Sequence, residues 1–399
     1  MVGRRLLRIV GWIAIGLAVL FAGWIGAAFL VYPNDYVVRV LAWRESDVDD
    51  YLHHFPHSPL TASSEPFVLP SAERSERNRA QEVLAAAFDT DDLDRFLDDS
   101  RTQSFIAIKD DRIVYEHYGN GWERDSLLTS FSVAKSFVST LVGIAIDEGH
   151  IGGLDDAITD YLPELPERDE RFERVTIRDL LTMSSGLEYE ANRWWLFNGD
   201  DPLTTYHTDQ RDLALANTHV EGAPDEVFSY NKYHPQLLGL VLERTTGMSV
   251  TEYTQTRLWE PLGMEFDGSW SLDSTGSGFE KLEAGLNARA VDYAKLGLLF
   301  LHEGDWNGTS VLPAEWVALA SGTDPDGRAP DFEDGRHYGF MWWGWDRPDE
   351  EPDYAAWGDH GQFVFVSPAN DVVIVRNGFE GGADETAWID GFAEAAAGL

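Results

Sequence analysis

The chain has 399 residues, 44% of them hydrophobic and 13% aromatic, enough to bury a large core in one big domain or two and to exclude disorder beyond the ends. It has no cysteine, which removes disulfide frameworks, thiolate nucleophiles and cysteine-based zinc sites and leaves serine, histidine and carboxylate chemistry. A formal charge of -39 repels polyanions and argues against nucleic acid as a partner, and lysine is confined to Lys109, Lys135, Lys232, Lys281 and Lys295, an acidic, arginine-rich composition that suits concentrated salt as well as it suits an ordinary acidic protein.

Arg4, Arg5 and Arg8 mark residues 1–8 as a cytoplasmic tail, and an uncharged run from Ile9 to Tyr32 follows, ending at Pro33-Asn34-Asp35. A helix of that length spans a bilayer. With arginines on its amino side, the positive-inside rule keeps the N-terminus cytoplasmic and places everything after residue 32 outside. The expectation is a single-pass anchor over 9–32 in the cell membrane. Gly26-Ala27-Ala28 offers a cleavage site for the competing reading, a signal peptide, whose apolar region would be unusually long.

Residues 33–76 carry Pro56, Pro59, Pro66 and Pro70 at intervals and read as a linker or a strap on the domain surface. His53, His54 and His57 fall here without helical spacing or an obvious fourth ligand, so no metal is expected.

From residue 77 a helical stretch leads to Phe105-Ile-Ala-Ile-Lys109, the polar turn Asp110-Asp111, and Ile113-Val-Tyr-Glu-His117, which together read as a hairpin. A second hairpin runs from Phe363 through Ser367-Pro-Ala-Asn-Asp371 to Arg376, and a closing helix covers Thr386 to Ala397. The middle, from Ser132 to about Gly304, is helical by pattern. Strands at both ends with helices between predict an α+β fold: one antiparallel sheet built from both chain ends, flanking helices and a large helical insertion, all within residues 77–399.

Ser132-Val-Ala-Lys135 opens a segment that is apolar almost all round and stops at Gly149, the pattern of a buried central helix with a glycine cap. Serine at the first turn and lysine three residues on share a face, so the ammonium can sit beside Oγ. A serine hydroxyl needs such a neighbour, because it is a poor nucleophile until a base takes its proton. A second Ser-x-x-Lys, Ser229 to Lys232, opens no comparable helix; Pro235 suits the first turn of the apolar run that follows.

On these motifs the chain resembles the class C β-lactamase, D-alanyl-D-alanine carboxypeptidase, esterase and 6-aminohexanoate-dimer hydrolase branch of the penicillin-recognising serine hydrolases, whose first signature is Ser-x-x-Lys. Phe228-Ser-Tyr230-Asn231-Lys232-Tyr-His-Pro-Gln-Leu-Leu-Gly239 matches the frame of the second signature, with Tyr230 in the tyrosine place and Lys232 where the family usually has asparagine, a departure that bears on the contact to a substrate amide. Gly358-Asp-His360-Gly361-Gln362 matches an esterase-like variant of the third. Thr176 to Leu187, Leu286 to Gly297 and Tyr161-Leu-Pro add to the likeness, which covers roughly residues 80 to 395.

The resemblance implies a β-lactamase/transpeptidase-like fold and two-step acyl transfer from an ester or amide through Ser132. Lys135 and Tyr230 share the proton work, and an adjacent ammonium is expected to lower the phenol pKa. The backbone N–H groups of Ser132 and Gln362 form the oxyanion site, with Gly361, His360, Asn231 and Lys232 around the substrate. No cofactor is implied. Trp194-Trp195 and Trp342-Trp343 are candidates for an acyl pocket, although tryptophan is more often core. The rival reading is a membrane-tethered penicillin-binding sensor or degenerate binding module with little turnover, supported by Lys232.

Overall fold

The computed structural model describes residues 2–191, 196–197, 199–329, 332, 335–348, 350–382 and 385–399, which places Trp194-Trp195 outside the described residues. The chain divides into two compact units. The first runs to Ser46 and takes in Glu190–Thr208. Its Val2–Val31 helix contains a stretch, Ile9–Val31, long and apolar enough to cross a membrane. Pro33 precedes a second helix, Asn34–Trp43, so the expected linker opens with regular structure. Aromatic contacts tie the later segment to both helices: Phe197 lies 5.1 Å from Trp24, and Tyr206 lies 5.7 Å from Trp43.

The second unit, Asp47–Tyr189 with Asp209–Leu399, holds the strands. In chain order these are β1 His57–Leu60, β2 Thr102–Lys109, β3 Arg112–Tyr118, β4 Leu128–Thr129, β5 Gly268–Ser271, β6 Leu286–Ala288, β7 Asp305–Trp306, β8 Thr309–Ser310, β9 Arg336–Tyr338, β10 Trp343–Trp345, β11 Asp353–Gly358, β12 Gln362–Ser367 and β13 Val372–Gly378. An antiparallel sheet runs β3-β2-β13-β12-β11-β10-β9, joining strands from both ends of the chain as the α+β reading requires. Asp110 and Asp111 turn β2 into β3 with φ of 48° and 60°, left-handed values that aspartate tolerates and a tight hairpin demands.

Alternation then sorts the side chains. Phe105, Ala107, Phe363, Phe365 and Ile374 face Leu84, Leu97, Trp388 and Phe392 from the terminal helices. The other face takes the helix Ala290–Leu301, which approaches so closely that a Cβ on Gly297 would stand 2.7 Å from a Val373 methyl. Covered on both sides, β12 and β13 are buried along their whole length and read as continuous apolar runs. The Val133–Asp147 helix is buried almost throughout and gives way to Gly149 at φ 74°, the predicted glycine stop.

A smaller sheet, β1-β5-β6-β4, lies at the amino end of that helix. Its edge strand β1 comes from the segment expected as a strap, and Pro59 is accommodated because an edge strand has one side without ladder bonds. Tyr51, Phe55 and Leu60 of the same segment are buried, and the compact unit begins at Asp47, upstream of the boundary at residue 77 expected from the sequence. Of the three histidines, His54 contacts Asp50 at 2.7 Å and His57 contacts the Ser269 hydroxyl at 3.1 Å.

Candidate active site

Ser132 stands at the amino end of the Val133–Asp147 helix, one residue after Phe131, whose φ of 42° is left-handed and strained for an aromatic residue. Two rings hold that conformation: Tyr51 meets Phe131 edge-on at 5.2 Å, and His360 lies 4.7 Å away. One helical turn on, Lys135 is 1% exposed. Its Nζ donates to Ser132 Oγ at 2.8 Å and to the Glu283 carbonyl at 2.6 Å, and lies 5.0 Å from the centre of the Tyr230 ring.

The second Ser-x-x-Lys is laid out differently. Ser229, Tyr230 and Asn231 precede the helix Tyr233–Thr246 in irregular chain, where positions three apart share no face. Ser229 is pinned through its N–H to the Met183 carbonyl at 2.8 Å. This arrangement delivers Tyr230 instead: its ring stacks on Trp343 at 6.1 Å, meets Tyr338 edge-on at 6.2 Å, and its hydroxyl is near enough to Ser132 for that side chain to favour the phenolate. Burial pushes the phenol well above its ordinary range, the Ser132 side chain opposes that shift, and the Asp359 carboxylate adds to it. The expected lowering by an adjacent ammonium is thereby overturned; desolvation of the phenolate is the larger effect.

Asn231 turns inward. Its side-chain amide donates to the Leu187 carbonyl at 3.3 Å, and its oxygen accepts from the Tyr233 N–H at 2.8 Å, starting the helix. Lys232 is half-buried at the helix N-cap. His234, the second residue of the same helix, contacts Ser185 Oγ at 2.7 Å and Met183 Sδ at 3.1 Å. The Thr176–Leu187 run thus supports the tyrosine from behind: Thr176 and Asp179 form a capping box, and Met183 and Ser185 hold the Tyr230-bearing turn.

The third motif is the turn between β11 and β12. A Cβ on Gly358 would fall 2.6 Å from the Ser130 carbonyl and 2.8 Å from the Ser132 nitrogen, so glycine there lets the strand end touch the backbone of the serine. His360 and Gly361 take φ of 62° and 78°. The Gln362 amide is spent on the next strand, donating to the Gly378 carbonyl at 2.6 Å and accepting from Asn377 at 3.0 Å. Behind the turn the fully buried Arg376 donates to the Gly361 carbonyl at 2.7 Å, to Thr102 Oγ1 at 3.0 Å and to the Ser100 carbonyl at 2.9 Å, and burial lowers its pKa to about 9. Sequence reasoning missed Arg376 and Glu283, whose roles run through backbone carbonyls rather than through a motif letter, and it read Gly358 as a motif letter without its close approach to the serine backbone.

The tryptophan pair divides. Trp342 is fully buried against Phe300 and Tyr354, whereas Trp343 is half-buried and forms the wall beside Tyr230. Among the described residues no group of three or more acidic or histidine side chains could hold a metal. A nucleophile-capable hydroxyl, a lysine in contact with it and a shielded phenol therefore meet at one helix end, beside the turn that joins β11 to β12.

A family model described as Beta-lactamase matches residues 93–395. The 6-aminohexanoate-dimer hydrolase of Paenarthrobacter ureafaciens is 27% identical over 348 residues, 80% of this chain and 85% of that one. Esterase EstB of Burkholderia gladioli is 30% identical over 165 residues, 39% of this chain and 41% of the relative. A solved structure assigned as a 6-aminohexanoate-dimer hydrolase from Bacillus anthracis superposes with a TM-score of 0.70 at 22% identity, covering 87% of this chain and 92% of that one, a likeness of fold.

Proposed function

The chain belongs to the beta-lactamase family and is a serine hydrolase, and on that premise we propose that Ser132 is its acylated nucleophile, acting on an ester or amide carbonyl. The observation that carries the assignment is the 2.8 Å contact from Lys135 Nζ to Ser132 Oγ, with the Tyr230 ring 5.0 Å from the same Nζ. Attack by Oγ forms a bond to the carbonyl carbon while the serine proton passes to the Lys135–Tyr230 pair. Because burial holds the Tyr230 phenol protonated, Lys135 is the group that must be neutral to accept it. The tetrahedral oxyanion is met by the backbone N–H groups of Ser132 and Gln362. Collapse breaks the bond to the leaving group, which takes its proton from Tyr230, and water then clears the acyl-enzyme by the same route in reverse. His360, Gly361 and Lys232 border the leaving-group side, and Asn231 acts by fixing the turn that presents Tyr230.

Asp359, close enough to influence Tyr230, would repel a substrate carboxylate at the place where β-lactam recognition relies on a cation. This supports neutral acyl esters over β-lactams. The helix over Ile9–Val31, with Arg4, Arg5 and Arg8 before it, supports a single-pass membrane anchor with an extracytoplasmic catalytic unit.

The deciding experiment is labelling with a fluorophosphonate probe followed by peptide mapping, alongside kcat/KM for p-nitrophenyl butyrate and a chromogenic cephalosporin. Label on Ser132, and ester turnover at least about tenfold the more efficient, a difference of about 1.4 kcal/mol, is the expected result. Label on Ser229 would overturn the nucleophile assignment; stable labelling without turnover would make the protein a sensor; efficient cephalosporin hydrolysis with negligible ester turnover would make it a β-lactamase.

A further inference from the structure

Directly behind Lys135 lies a second lysine that the acyl-transfer scheme does not use. Lys281 Nζ sits 2.6 Å from Glu283 Oε1, with both side chains almost completely buried. The backbone around them is tightly wound: the Gly285 N–H donates to the Lys281 carbonyl at 2.6 Å, and the Lys281 N–H donates to the Ser271 carbonyl at 2.8 Å, fixing the turn to strand β5. This turn presents the Glu283 carbonyl to Lys135 Nζ. Phe55 and Tyr51 roof the pair, with Lys281 Nζ 4.6 Å and 5.7 Å from their ring centres.

As a stability device the pair is poor. Apart from Lys281, the Glu283 oxygens find no hydrogen-bond donor among the described residues, and a buried ion pair with unmet acceptors is commonly no better than an apolar pair of the same volume. Its position argues for another use. The carboxylate belongs to the residue whose carbonyl Lys135 touches, so two opposed charges stand within one residue's reach of the proton-transfer group.

We propose that the Lys281–Glu283 pair is a positioning element for Lys135: it fixes the carbonyl that holds Nζ against Ser132 and sets, with two opposed charges, the pH at which the Lys135–Tyr230 pair gives up its proton. The proposal rests on the assignment of Ser132 and Lys135 above. Among the described residues, the other ionisable groups around the site include Asp359, which acts on Tyr230, Tyr338 beside Tyr230, His360 against the Phe131 ring, Lys232 at the helix N-cap, and Tyr51 in the roof with the buried Asp50 next to it in the chain. None of them changes in the variants that follow, so a displaced limb reports the Lys281–Glu283 charges.

The test is the acid limb of kcat/KM, read in parallel as the pH dependence of probe labelling at Ser132. In Glu283→Gln the Lys281 charge loses the Glu283 carboxylate that balances it and disfavours the ammonium, so the limb should move to lower pH by about one unit or more. In Lys281→Met the Glu283 charge is left unopposed, and the limb should move to higher pH by a similar amount. Lys281→Arg should hold the wild-type limb, and the double variant, losing both charges, should return close to it. A normalised profile locates the limb even when little enzyme folds. If the single variants give no folded enzyme, the double variant decides alone: a limb displaced by a unit or more overturns the proposal. Limbs that stay put, or that move the same way in both single variants, overturn it as well, leaving a merely structural pair. Absence of label on Ser132 in the wild type would instead sink the catalytic assignment beneath it.

Discussion

Among the described residues of the catalytic unit two lysine–carboxylate pairs are buried, and they are built in opposite ways. On the Ala290–Leu301 helix, Lys295 Nζ lies 3.1 Å from Asp292, which also accepts the N–H groups of Glu265 at 2.6 Å and Phe266 at 3.1 Å, while Lys295 donates to the Gly263 carbonyl at 2.6 Å. Burial still raises the Asp292 pKa and lowers that of Lys295, but each charge is met by backbone groups of residues 263–266, the segment that leads into β5. At Lys281–Glu283 the carboxylate finds no such donors among the described residues, and the backbone carbonyl of its own residue is given to Lys135. The first pair joins two segments of the fold; the second adjoins Lys135, the group proposed to move the proton. The difference teaches that burial and distance alone do not distinguish a structural ion pair from a functional one. The proposed difference lies in the use made of the surrounding backbone groups.

The sharpest way to test that contrast is to remove the chemistry at one end of it. Ser132→Ala should abolish turnover and labelling with the melting temperature nearly unchanged, since only Oγ is lost. Lys135→Ala and Tyr230→Phe should each lower kcat/KM by roughly 10² to 10⁴, the scale of lost general-base catalysis. Near-wild-type rates in both would move the proton path elsewhere.

A truncation comes next. A form beginning at Ser71 lacks β1 and the Tyr51–Phe55 roof, so it should aggregate or show no activity, whereas a form beginning at Asp47 should be soluble and active. Comparable activity from both would show that the roof contributes nothing to the site.

At the structural pair the expected loss is of stability. Lys295→Met leaves Asp292 buried without its cation and should cost about 3–5 kcal/mol in urea unfolding, with the acid limb of kcat/KM where it was. A shifted limb in this variant would erase the distinction between the two pairs.

What could be read before the fold was known follows from locality. The Ser132–Lys135 spacing, the two hairpins and the Gly149 stop are signals carried within a few residues, and the structure has each of them. Strand β1 was illegible because it is a four-residue strand with a proline in it, and its partner is β5, more than half the chain away. Arg376 and Glu283 gave no motif because they act through main-chain carbonyls. Tyr230 was recognised, but the sign of its pKa shift was not, since desolvation depends on the Trp343 and Tyr338 rings that tertiary packing brings beside it.

A third buried ionisable group completes the comparison, because it avoids charge altogether. His234 is 1% exposed, contacts Ser185 Oγ and Met183 Sδ, and burial lowers its pKa to about 3. Above pH 6.5 the imidazole is neutral in both the folded and the unfolded chain, and no stability depends on it. Below 6.5 the unfolded chain binds a proton that the folded chain refuses down to about pH 3, so stability falls as the pH drops through that window. At pH 5 the loss amounts to about 2 kcal/mol from this one residue. Carboxylates add their own acid sensitivity, so the measurement is a difference: urea unfolding of the form beginning at Asp47 and of its His234→Gln variant, each at pH 7 and pH 5. The variant, whose amide can bond Ser185 without titrating, should lose about 2 kcal/mol less than the wild type between the two. Equal losses would mean that His234 takes up its proton without unfolding, and that its contacts with Met183 and Ser185 tolerate a charge the buried lysines need partners to carry.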